Sequence, residues 1–315
     1  MIKKSDKIFL AGHKGLVGSA IYKLLIKKGY KKVLVQSKKN LNLLDQKKVS
    51  KFLKKNKPKI VIIAAAKVGG IKANNTYRAE FIRENLVIQN NLIHGSFENG
   101  IKNIVFLGSS CVYPVSCRRP IKEKYLLSGF LEPTNEPYAI AKIAGIKMCE
   151  SYNAQYKTNY LCLMPTNTFG PGDNYNLQTS HFIPAILKKV LSAEINNVKN
   201  IFLWGTGKPK REIIYVKDLA DAVIFFMNKK VKHSLINIGT SKEMSIKDYT
   251  KIIKKILKVN VNVKFDNNKK LDGMKSKVLD TSLALSYGWK SKTRLEDAIF
   301  ETYHDLKKNI KKIRY

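Results

Sequence analysis

A buried-strand pattern followed by evenly spaced glycines constrains the fold of this chain more than any other feature. Residues 7–11 read Lys-Ile-Phe-Leu-Ala and lead into Gly12-His13-Lys14-Gly15-Leu16-Val17-Gly18, after which an apolar helix continues through Leu25. Glycines at this spacing permit a tight turn and let backbone N–H groups approach a pyrophosphate at the N-terminus of the helix. An ordinary glycine turn is the alternative, but strand, glycine turn and helix in succession favour the first unit of a dinucleotide-binding sheet.

Strand and helix patterns alternate along the chain after this unit. Strands are predicted at residues 32–36, 59–64, 103–107, 160–164 and 235–238, and helices at 85–97, from Pro137 onward and at 245–257. This order predicts an α/β fold, a doubly wound parallel sheet of the Rossmann type with a smaller C-terminal substrate-binding domain. The predicted nucleotide-binding domain spans 1–168, with 212–240 contributing, and the substrate-binding domain comprises 169–211 and 241–315. Residues 165–172 are predicted to form a rigid loop that closes the fifth strand.

The residues at the end of the second predicted strand indicate which dinucleotide would bind. An NAD site of this fold has an Asp or Glu there, next to the adenosine ribose. This chain has Gln36-Ser37-Lys38-Lys39 instead, and Lys14 adds a cation in the glycine turn. Because an acid is absent and cations are present, the sequence favours a 2′-phosphate and predicts NADP(H) as the cofactor.

Tyr138 and Lys142 form a candidate proton donor near the start of a helix. Pro137 suits the first helical turn, and residues four apart lie on the same helix face. A nearby ammonium favours phenolate, so we expect Lys142 to lower the pKa of Tyr138 from its free value of about 10. The alternative is that Tyr138 packs in the core and Lys142 is one more solvated lysine.

The fourth predicted strand runs into Gly108-Ser109-Ser110-Cys111, where chemistry is expected. Ligands of open parallel sheets bind beyond the carboxyl ends of the strands. A serine hydroxyl at this edge could help Tyr138 hold a substrate carbonyl oxygen. Turn capping by the serine and core packing by the cysteine are the alternatives. The small residues at 65–70 form another turn that can lie against a cofactor.

The high positive charge does not by itself predict a nucleic-acid-binding protein. The formal net charge is +36, but arginine occurs only at positions 78, 83, 118, 119, 211, 294 and 314. Arginine is preferred for bidentate phosphate and base recognition, whereas the scattered lysines suit solvated faces. We therefore predict a salt-sensitive attraction to polyanions but no specific nucleic-acid partner.

Membrane, disulfide and metal patterns are not found in the sequence. No uncharged apolar run approaches the length of a membrane span, and the N-terminus leads into a strand, unlike a signal peptide. The four cysteines, at positions 111, 117, 149 and 162, form no Cys-x-x-Cys pair, which argues against a disulfide framework and a zinc site. The prediction is a cytoplasmic protein with reduced thiols, no metal and no membrane partner.

Several segments together resemble the extended short-chain dehydrogenase/reductases, and within that family the enzymes that make GDP-L-fucose from GDP-4-keto-6-deoxy-D-mannose. The matching stretches are residues 11–20, 64–77, 107–114, 131–152 and 164–167, and the likeness spans essentially the whole chain. The resemblance implies NADPH-dependent epimerisation at carbons 3 and 5 followed by reduction of the 4-keto group. It also implies a homodimer whose seam is formed by the helix at 85–97 and the helix that carries Tyr138.

The resemblance assigns roles to five residues. Ser109, Tyr138 and Lys142 correspond to the reductase triad, in which Tyr138 protonates the 4-oxygen. Cys111 and His181 correspond to the epimerisation pair. The 4-keto group acidifies the hydrogens on carbons 3 and 5, and inversion needs a base on one face and an acid on the other. A thiol, with a free pKa of about 8.5, and an imidazole, of about 6.5, both exchange protons near neutrality.

The resemblance further implies two sets of binding residues. The cofactor set comprises Gly12, His13, Lys14, Gly15, Leu16, Val17, Gly18, Gln36, Ser37, Lys38, Leu107, Gly108, Ser110, Lys142, Pro165, Thr166, Asn167 and His181. The set for GDP and sugar comprises Lys189, Trp204, Arg211, Asp272 and Lys277; Arg211 suits a diphosphate because its fork can bond two oxygens. In two respects the chain departs from the family: Lys189 and Gln36 stand where arginine is expected, and the segment between Met227 and Ser234 is short.

Two other functions stay open at this point. The first is another sugar-nucleotide epimerase, dehydratase or reductase of the same fold, although a dehydratase would carry an Asp-Glu pair where this chain has Ser110-Cys111. The second is a non-catalytic dinucleotide sensor or polyanion-binding protein. Such a protein would not need the five catalytic candidates together, and a Tyr138→Phe change would leave its binding unaltered.

Overall fold

Strands and helices alternate through the computed structural model, which describes residues 1–269 and 272–310. The strands are β1 (Lys7–Ala11), β2 (Lys32–Leu34), β3 (Ile60–Ile63), β4 (Asn103–Leu107), β5 (Asn159–Pro165), β6 (Asn167–Phe169), β7 (Asn200–Leu203), β8 (Lys210–Tyr215), β9 (Leu235–Ile238), β10 (Glu243–Ser245) and β11 (Asn262–Phe265). The helices are α1 (Leu16–Lys27), α2 (Gln46–Asn56), α3 (Ile71–Thr76), α4 (Arg78–Glu98), α5 (Glu136–Tyr156), α6 (Phe182–Ile195), α7 (Val216–Met227), α8 (Ile246–Leu257), α9 (Ser282–Ser286) and α10 (Leu295–Asn309).

The large sheet is parallel and is covered by helices on both faces. Its strand order is β2-β1-β3-β4-β5-β9. Successive side chains of a strand point to opposite faces. Phe9 accordingly packs with residues of α2, α4 and α5, whereas Ile8 and Leu10 pack with residues of α1 and α7. The predicted doubly wound α/β fold is confirmed.

Two small sheets and a separate apolar core make up most of the C-terminal part. The sheets have the orders β10-β8-β6 and β11-β7, and α6, α8 and α10 contribute to the core. The prediction of a rigid loop at 165–172 is wrong, because Asn167–Phe169 form β6 and pair in parallel with Ile213–Tyr215. This pairing joins the end of β5 to the smaller sheet. The predicted domain range 241–315 includes residues 270–271 and 311–315, which lie outside the described residues.

Helix α4 is longer than the sequence pattern predicted, and buried polar residues anchor it. Helix α4 begins at Arg78, ahead of the predicted start at Asn85. Asn85 is 3% exposed, and its amide nitrogen donates to the Phe81 and Lys67 carbonyls at 2.6 and 3.0 Å. Gln89 donates in the same way to the Ala141 carbonyl at 2.5 Å. The missed first turns, residues 78–84, contain a single buried residue, Phe81, so the apolar period that marks a helix is weak there.

The carboxyl ends of β1, β3, β4 and β5 share one edge of the large sheet. Each end leads into a segment that the sequence marks as functional, so the parallel order brings those segments together. Strand β2 lies at the outer end of the sheet and stops at Leu34, two residues before the predicted end at Gln36. No helix in the described residues is both long enough and apolar enough to cross a membrane.

Candidate active site

A cavity lies beyond the carboxyl edge of the large sheet, where the C-terminal part meets it. Its lining includes four of the predicted catalytic residues, namely Ser109, Cys111, Tyr138 and His181. The lining also includes every residue predicted to hold GDP and sugar: Lys189, Trp204, Arg211, Asp272 and Lys277. The remaining catalytic candidate, Lys142, is 3% exposed and lies behind this lining. The fold therefore brings together residues that are widely separated in sequence.

A single turn of 3-10 helix places Ser109 and Cys111 directly after β4. Ser109 is the N-cap of this turn, and its hydroxyl accepts a hydrogen bond from the Cys111 N–H at 3.4 Å. Cys111 is 7% exposed and still lines the cavity. Ser109 is thus both a turn cap and a cavity residue, so the two sequence interpretations are compatible. Ser110, in contrast, is 2% exposed and is not among the lining residues.

Helix α5 presents Tyr138 to the cavity and buries Lys142 one turn later. Pro137 occupies the first turn of the helix, as its missing N–H allows. The Lys142 ammonium donates to the Leu107 carbonyl at 2.8 Å and lies 5.8 Å from the centroid of the Tyr138 ring. This ties the helix to the end of β4 and keeps a cation close to the phenol.

The pKa of Tyr138 shifts opposite to the sequence expectation. Burial raises the pKa of the phenol, and the neighbouring Cys111 raises it further. Burial also lowers the pKa of Lys142 to about 8. The expectation that Lys142 lowers the Tyr138 pKa is therefore wrong, because desolvation outweighs the attraction between phenolate and ammonium. The phenol is therefore protonated at neutral pH, as a proton donor must be, although burial makes it a weaker acid.

Cys111 and His181 are shifted toward their uncharged forms. Burial raises the pKa of the Cys111 thiol, although Lys277 and a hydrogen bond from Ser109 oppose this rise. The His181 side chain is exposed to the cavity, but surrounding protein desolvates it, so its pKa is lowered, and the charge of Lys277 lowers it further. At neutral pH the pair therefore consists of a thiol that holds a proton and an imidazole with a free ring nitrogen.

Arg211 and Asp272 each form several hydrogen bonds within the protein. The Arg211 guanidinium donates to the carbonyls of Lys210, Asp272 and Met274 at 2.8, 2.6 and 2.5 Å. Asp272 accepts hydrogen bonds from both the N–H and the hydroxyl of Thr206, each at 2.8 Å. Asp272 thus holds the turn that follows Trp204, a structural role that the sequence interpretation did not include.

Trp204 lies near two lysines in the cavity lining. The ammonium groups of Lys72 and Lys189 lie 5.9 and 5.8 Å from its ring centroid. The side chain is 43% exposed, so an indole face remains open to a ligand. Lys189 also donates to the Phe202 carbonyl, which fixes its ammonium beside the ring. Trp204 is therefore not a core residue.

The glycine turn after β1 fits a dinucleotide phosphate. Gly12 has a φ of +93°, and a Cβ there would lie 2.6 Å from the Ala65 nitrogen. A Cβ on Gly18 would lie 2.1 Å from the Gly12 carbonyl oxygen. Helix α1 begins immediately afterwards, and no side chain of the described residues caps its N-terminus at Gly15. Its first N–H groups are therefore available to an anion such as a pyrophosphate.

The other residues predicted to bind the cofactor differ in their exposure and in their hydrogen bonds. Lys14 and Lys38 are exposed, and Gln36 and Ser37 are half-buried at the end of β2, so cations are available for a 2′-phosphate. Thr166 is 4% exposed, and both its hydroxyl and the Asn167 amide donate to the Glu212 carbonyl. Leu16 and Val17 begin α1, and Leu107 and Pro165 end β4 and β5. A Cβ on Gly108 would lie 1.9 Å from the Met164 Cε, so this glycine permits close packing.

Sequence reasoning missed several residues of the cavity. Glu132 is 9% exposed, lines the cavity and accepts a hydrogen bond from the Asn135 N–H at 3.2 Å. Its only sequence signal was its place in the 131–152 stretch, because nothing in the local pattern marks this carboxylate as buried. Gly70 also lines the cavity, and its N–H donates to the Thr179 carbonyl at 2.8 Å. The turn at 65–70 therefore contacts the loop before His181 as well as the glycine turn.

Comparison with a protein family agrees with this sheet and this site. The sequence model of the NAD dependent epimerase/dehydratase family matches residues 8–239, which include the glycine turn and all the catalytic candidates. The chain therefore belongs to this family of enzymes.

Within the family, the chain groups with the GDP-L-fucose synthases. GDP-L-fucose synthase 1 of Arabidopsis thaliana is 44% identical over 310 residues, covering 98% of this chain and 96% of the relative. The GDP-L-fucose synthase of Escherichia coli strain K12 is 43% identical over 307 residues, covering 95% of each. A solved structure of MlghC, a GDP-mannoheptose C4 reductase from Campylobacter jejuni with NADP bound, is 37% identical, with a TM-score of 0.88 over 98% of this chain and 100% of that one. The predicted resemblance is confirmed.

Proposed function

We propose that this enzyme converts GDP-4-keto-6-deoxy-D-mannose to GDP-L-fucose, by epimerisation at carbons 3 and 5 and NADPH-dependent reduction at carbon 4. The observation that carries the proposal is one cavity lined by Ser109, Cys111, Tyr138 and His181 together. A hydroxyl and a phenol suit the reduction, and a thiol and an imidazole suit the epimerisations. The 43–44% identity to GDP-L-fucose synthases supports the choice of substrate.

The epimerisations need a proton removed from one face of a carbon and returned to the other. The 4-keto group makes the hydrogens on carbons 3 and 5 acidic. Cys111 carries a proton at neutral pH and His181 has a free ring nitrogen, so the pair supplies one acid and one base. The Tyr138 and Ser109 hydroxyls donate hydrogen bonds to the 4-oxygen and stabilise the negative charge that the enolate places there.

The reduction uses the same hydroxyl groups on the same oxygen. When bound, NADPH supplies the hydride for carbon 4. Tyr138, which is protonated at neutral pH, gives its proton to the oxygen. Lys142, anchored on the Leu107 carbonyl, keeps a positive charge near the phenolate that results. One tyrosine thus serves both the enolate and the alcohol stage.

NADPH is the cofactor that the glycine turn and the end of β2 suit best. The open N-terminus of α1 would hold the pyrophosphate, and Lys14 and Lys38 would hold the 2′-phosphate. Lysine offers a point charge where arginine would offer a fork, and Gln36 adds no charge. The NADP in the related MlghC structure supports this choice.

The GDP end of the substrate would extend from the reacting residues toward Trp204. Arg211 has five N–H donors, and carbonyl groups of the protein take three of them. The remaining donors and the Lys189 ammonium would bond the diphosphate. Trp204 would offer its open face to the nucleoside. Asp272 and Lys277 would close the site near the phosphates and the sugar.

We further propose a cytoplasmic homodimer in which α4 and α5 form the seam. Ile140 and Tyr156 of α5 are 41% and 43% exposed, which supports an apolar contact on this helix. Sedimentation of the purified protein would give a dimer, and a monomer at assay concentrations would contradict the proposal.

We also propose a division into residues 1–168 with 212–240, and 169–211 with 241–315. The support is that β9 joins the large sheet and α7 packs against α1, whereas β8 belongs to the smaller sheet. Ile213, Ile214 and Tyr215 lie on β8, so the second boundary runs through a strand. Limited proteolysis tests this division, which predicts a cut near residue 240, between β9 and β10.

The decisive experiment incubates the purified protein with GDP-4-keto-6-deoxy-D-mannose and NADPH. NADPH oxidation would be followed by absorbance, and the sugar would be identified by NMR. Formation of GDP-L-fucose would establish the function. A 4-reduced product without inversion would show a C4 reductase, as MlghC is named, and would remove Cys111 and His181 as an epimerase pair. No turnover would contradict the proposal and direct the search to other nucleotide sugars.

A further inference from the structure

An extended segment, residues 272–280, forms one part of the cavity lining; we call it the strap. Asp272, Gly273, Met274 and Lys277 of the strap line the cavity. The strap contains no helix, and its backbone is bonded mainly to other segments. The N–H groups of Lys210, Glu212 and Ile121 donate to strap carbonyls at 275, 277 and 278, at 2.9, 3.2 and 2.9 Å. Its position therefore depends on tertiary hydrogen bonds.

Arg119 joins the strap to the loop that follows Cys111. Its Nε and Nη2 donate to the Ser276 carbonyl oxygen at 3.3 and 3.1 Å. The same Nη2 donates to the Val115 carbonyl at 2.8 Å, and Nη1 donates to the Cys117 carbonyl. A planar guanidinium can bond several carbonyls in fixed directions, whereas a lysine ammonium would reach fewer of them. One side chain thus connects two segments that both border the site.

The peptide group between Ser276 and Lys277 is held from both sides. Arg119 binds its carbonyl oxygen, and the Lys277 N–H donates to the Glu243 carboxylate at 3.2 Å. The Ser276 hydroxyl also bonds both oxygens of Glu243, at 2.9 and 2.8 Å. A peptide plane fixed at both ends sets the direction in which the next side chain, that of Lys277, leaves the backbone.

Lys277 is the cation that acts on both members of the epimerisation pair. It is 9% exposed and lines the same cavity as Cys111 and His181. Its charge lowers the pKa of the Cys111 thiol against the larger effect of burial, and it adds to the burial that lowers the pKa of His181. Charge interactions weaken with distance, so a displaced Lys277 would affect both residues less.

We propose that Arg119 is a positioning residue of the epimerisation: it fixes the Ser276–Lys277 peptide and so holds the Lys277 ammonium at the cavity wall that Cys111 lines. Arg119 itself lies outside the cavity lining and touches no reacting group. The inference rests on the proposed function for the identity of the reaction, but its geometry does not depend on the substrate. Arg118, next to it, is exposed and provides a matched control.

The test measures how Cys111 reacts with iodoacetamide as a function of pH, in the full-length protein, by peptide mass spectrometry. Alkylation follows the thiolate, so the midpoint of the profile reports the charge around the sulfur. Arg119→Lys and Arg119→Ala are expected to shift the midpoint upward by about one pH unit, the size of one nearby charge. Lys277→Met is expected to shift it at least as far, and Arg118→Ala to leave it in place. Added guanidinium ion is expected to restore the profile of Arg119→Ala but not that of Lys277→Met.

Three results would overturn the inference. They are an unchanged profile in Arg119→Lys, an unchanged profile in Lys277→Met, and guanidinium rescue that acts equally on both. NADPH affinity, measured for every variant, checks that the protein is folded, and Arg119→Lys replaces Arg119→Ala if the alanine variant is unfolded. Because alkylation needs no substrate, failure of the wild type to make GDP-L-fucose would remove the proposed function and leave this result standing.

Discussion

The two sides of the cavity are constructed differently. On the sheet side, Ser109 and Tyr138 stand directly at the end of β4 and in the first turn of α5, so elements of the large sheet place them. On the far side, His181, Arg211 and Lys277 come from three segments widely separated in sequence. Hydrogen bonds between charged side chains and backbone carbonyls hold two of these segments, at Arg211 and at the strap.

The two sides of the cavity would therefore perform different tasks. In the proposed function, the sheet side carries the hydroxyl groups that act on the 4-oxygen, and its geometry follows from the parallel sheet. The far side would supply positive charge for the nucleotide and for the Cys111 and His181 pair. Changes at Ser109 and Tyr138 should therefore stop the reduction and spare binding, whereas changes at Arg211 or in the strap should weaken binding and stability.

The largest effect is expected from Tyr138→Phe. Removal of the phenolic proton donor should lower the rate of 4-reduction by about 10²–10⁴-fold, the usual contribution of general acid catalysis. NADPH affinity, measured by fluorescence titration, should stay unchanged. Tyr77→Phe, at a tyrosine that is 49% exposed, serves as the control. A Tyr138→Phe variant that retains its reduction rate would show that the proton comes from another group.

Cys111→Ser is expected to block epimerisation and leave slow direct 4-reduction. A serine hydroxyl exchanges protons poorly near neutral pH, so incorporation of solvent deuterium at carbons 3 and 5 should fall by about 10²-fold or more. NMR of the recovered sugar measures this. Cys117→Ser, at a cysteine outside the cavity lining, should exchange normally. Unaltered exchange in Cys111→Ser would remove the thiol from the epimerisation and leave the sheet side with reduction alone.

The sequence predicted the sheet side well because its signals are local. The predicted strand at 103–107 coincides with β4, and the predicted helix at Tyr138 is α5. The strap could not be predicted, because the hydrogen bonds that hold its Ser276–Lys277 peptide come from Arg119 and Glu243, which are far from it in sequence. The pKa of Tyr138 was predicted in the wrong direction for the same reason: desolvation depends on which residues surround the phenol, and no local spacing contains that information.

Glu212→Gln tests how far the far side depends on one buried carboxylate. Glu212 is 0% exposed and accepts hydrogen bonds from the N–H groups of Thr240, Ser241 and Leu279 at 2.5, 2.7 and 2.8 Å. A glutamine has one acceptor oxygen and would present an NH₂ group to the remaining donors. We expect a loss of about 2–3 kcal/mol in the free energy of unfolding, measured by urea denaturation.

The same variant should also raise the KM for the GDP-sugar, because Leu279 belongs to the strap. The control is Glu194→Gln, where an exposed ion pair with Lys307 at 3.5 Å should contribute under about 1 kcal/mol. Equal stability of the two variants would show that the far side does not need this carboxylate.

The pH dependence of reduction should report the charge of Lys142. Burial lowers its pKa to about 8, so the ammonium is present below that pH and is lost as the pH rises through it. The rate of 4-reduction should then fall about tenfold for each further pH unit if the cation is required. Lys142→Arg, which keeps its charge, should move this decline to higher pH. A rate that stays level well above the Lys142 pKa would show that the phenol works without the cation.

The smallest effect is expected where the two sides meet, at Trp204. Lys72, from the helix after β3, and Lys189, from α6, each lie within 6 Å of its ring centroid, at 5.9 and 5.8 Å. A cation over an exposed aromatic ring contributes about 0.5–1 kcal/mol, so Lys72→Ala should raise the KM by about 2–5-fold and leave kcat unchanged.

The exposed Lys230 provides the control variant, Lys230→Ala. Steady-state kinetics at two salt concentrations distinguish the local contact from the general positive charge, because only the latter is strongly screened. An unchanged KM would mean that Lys189 alone orients the indole, and that the sheet side contributes nothing to the binding of the nucleoside.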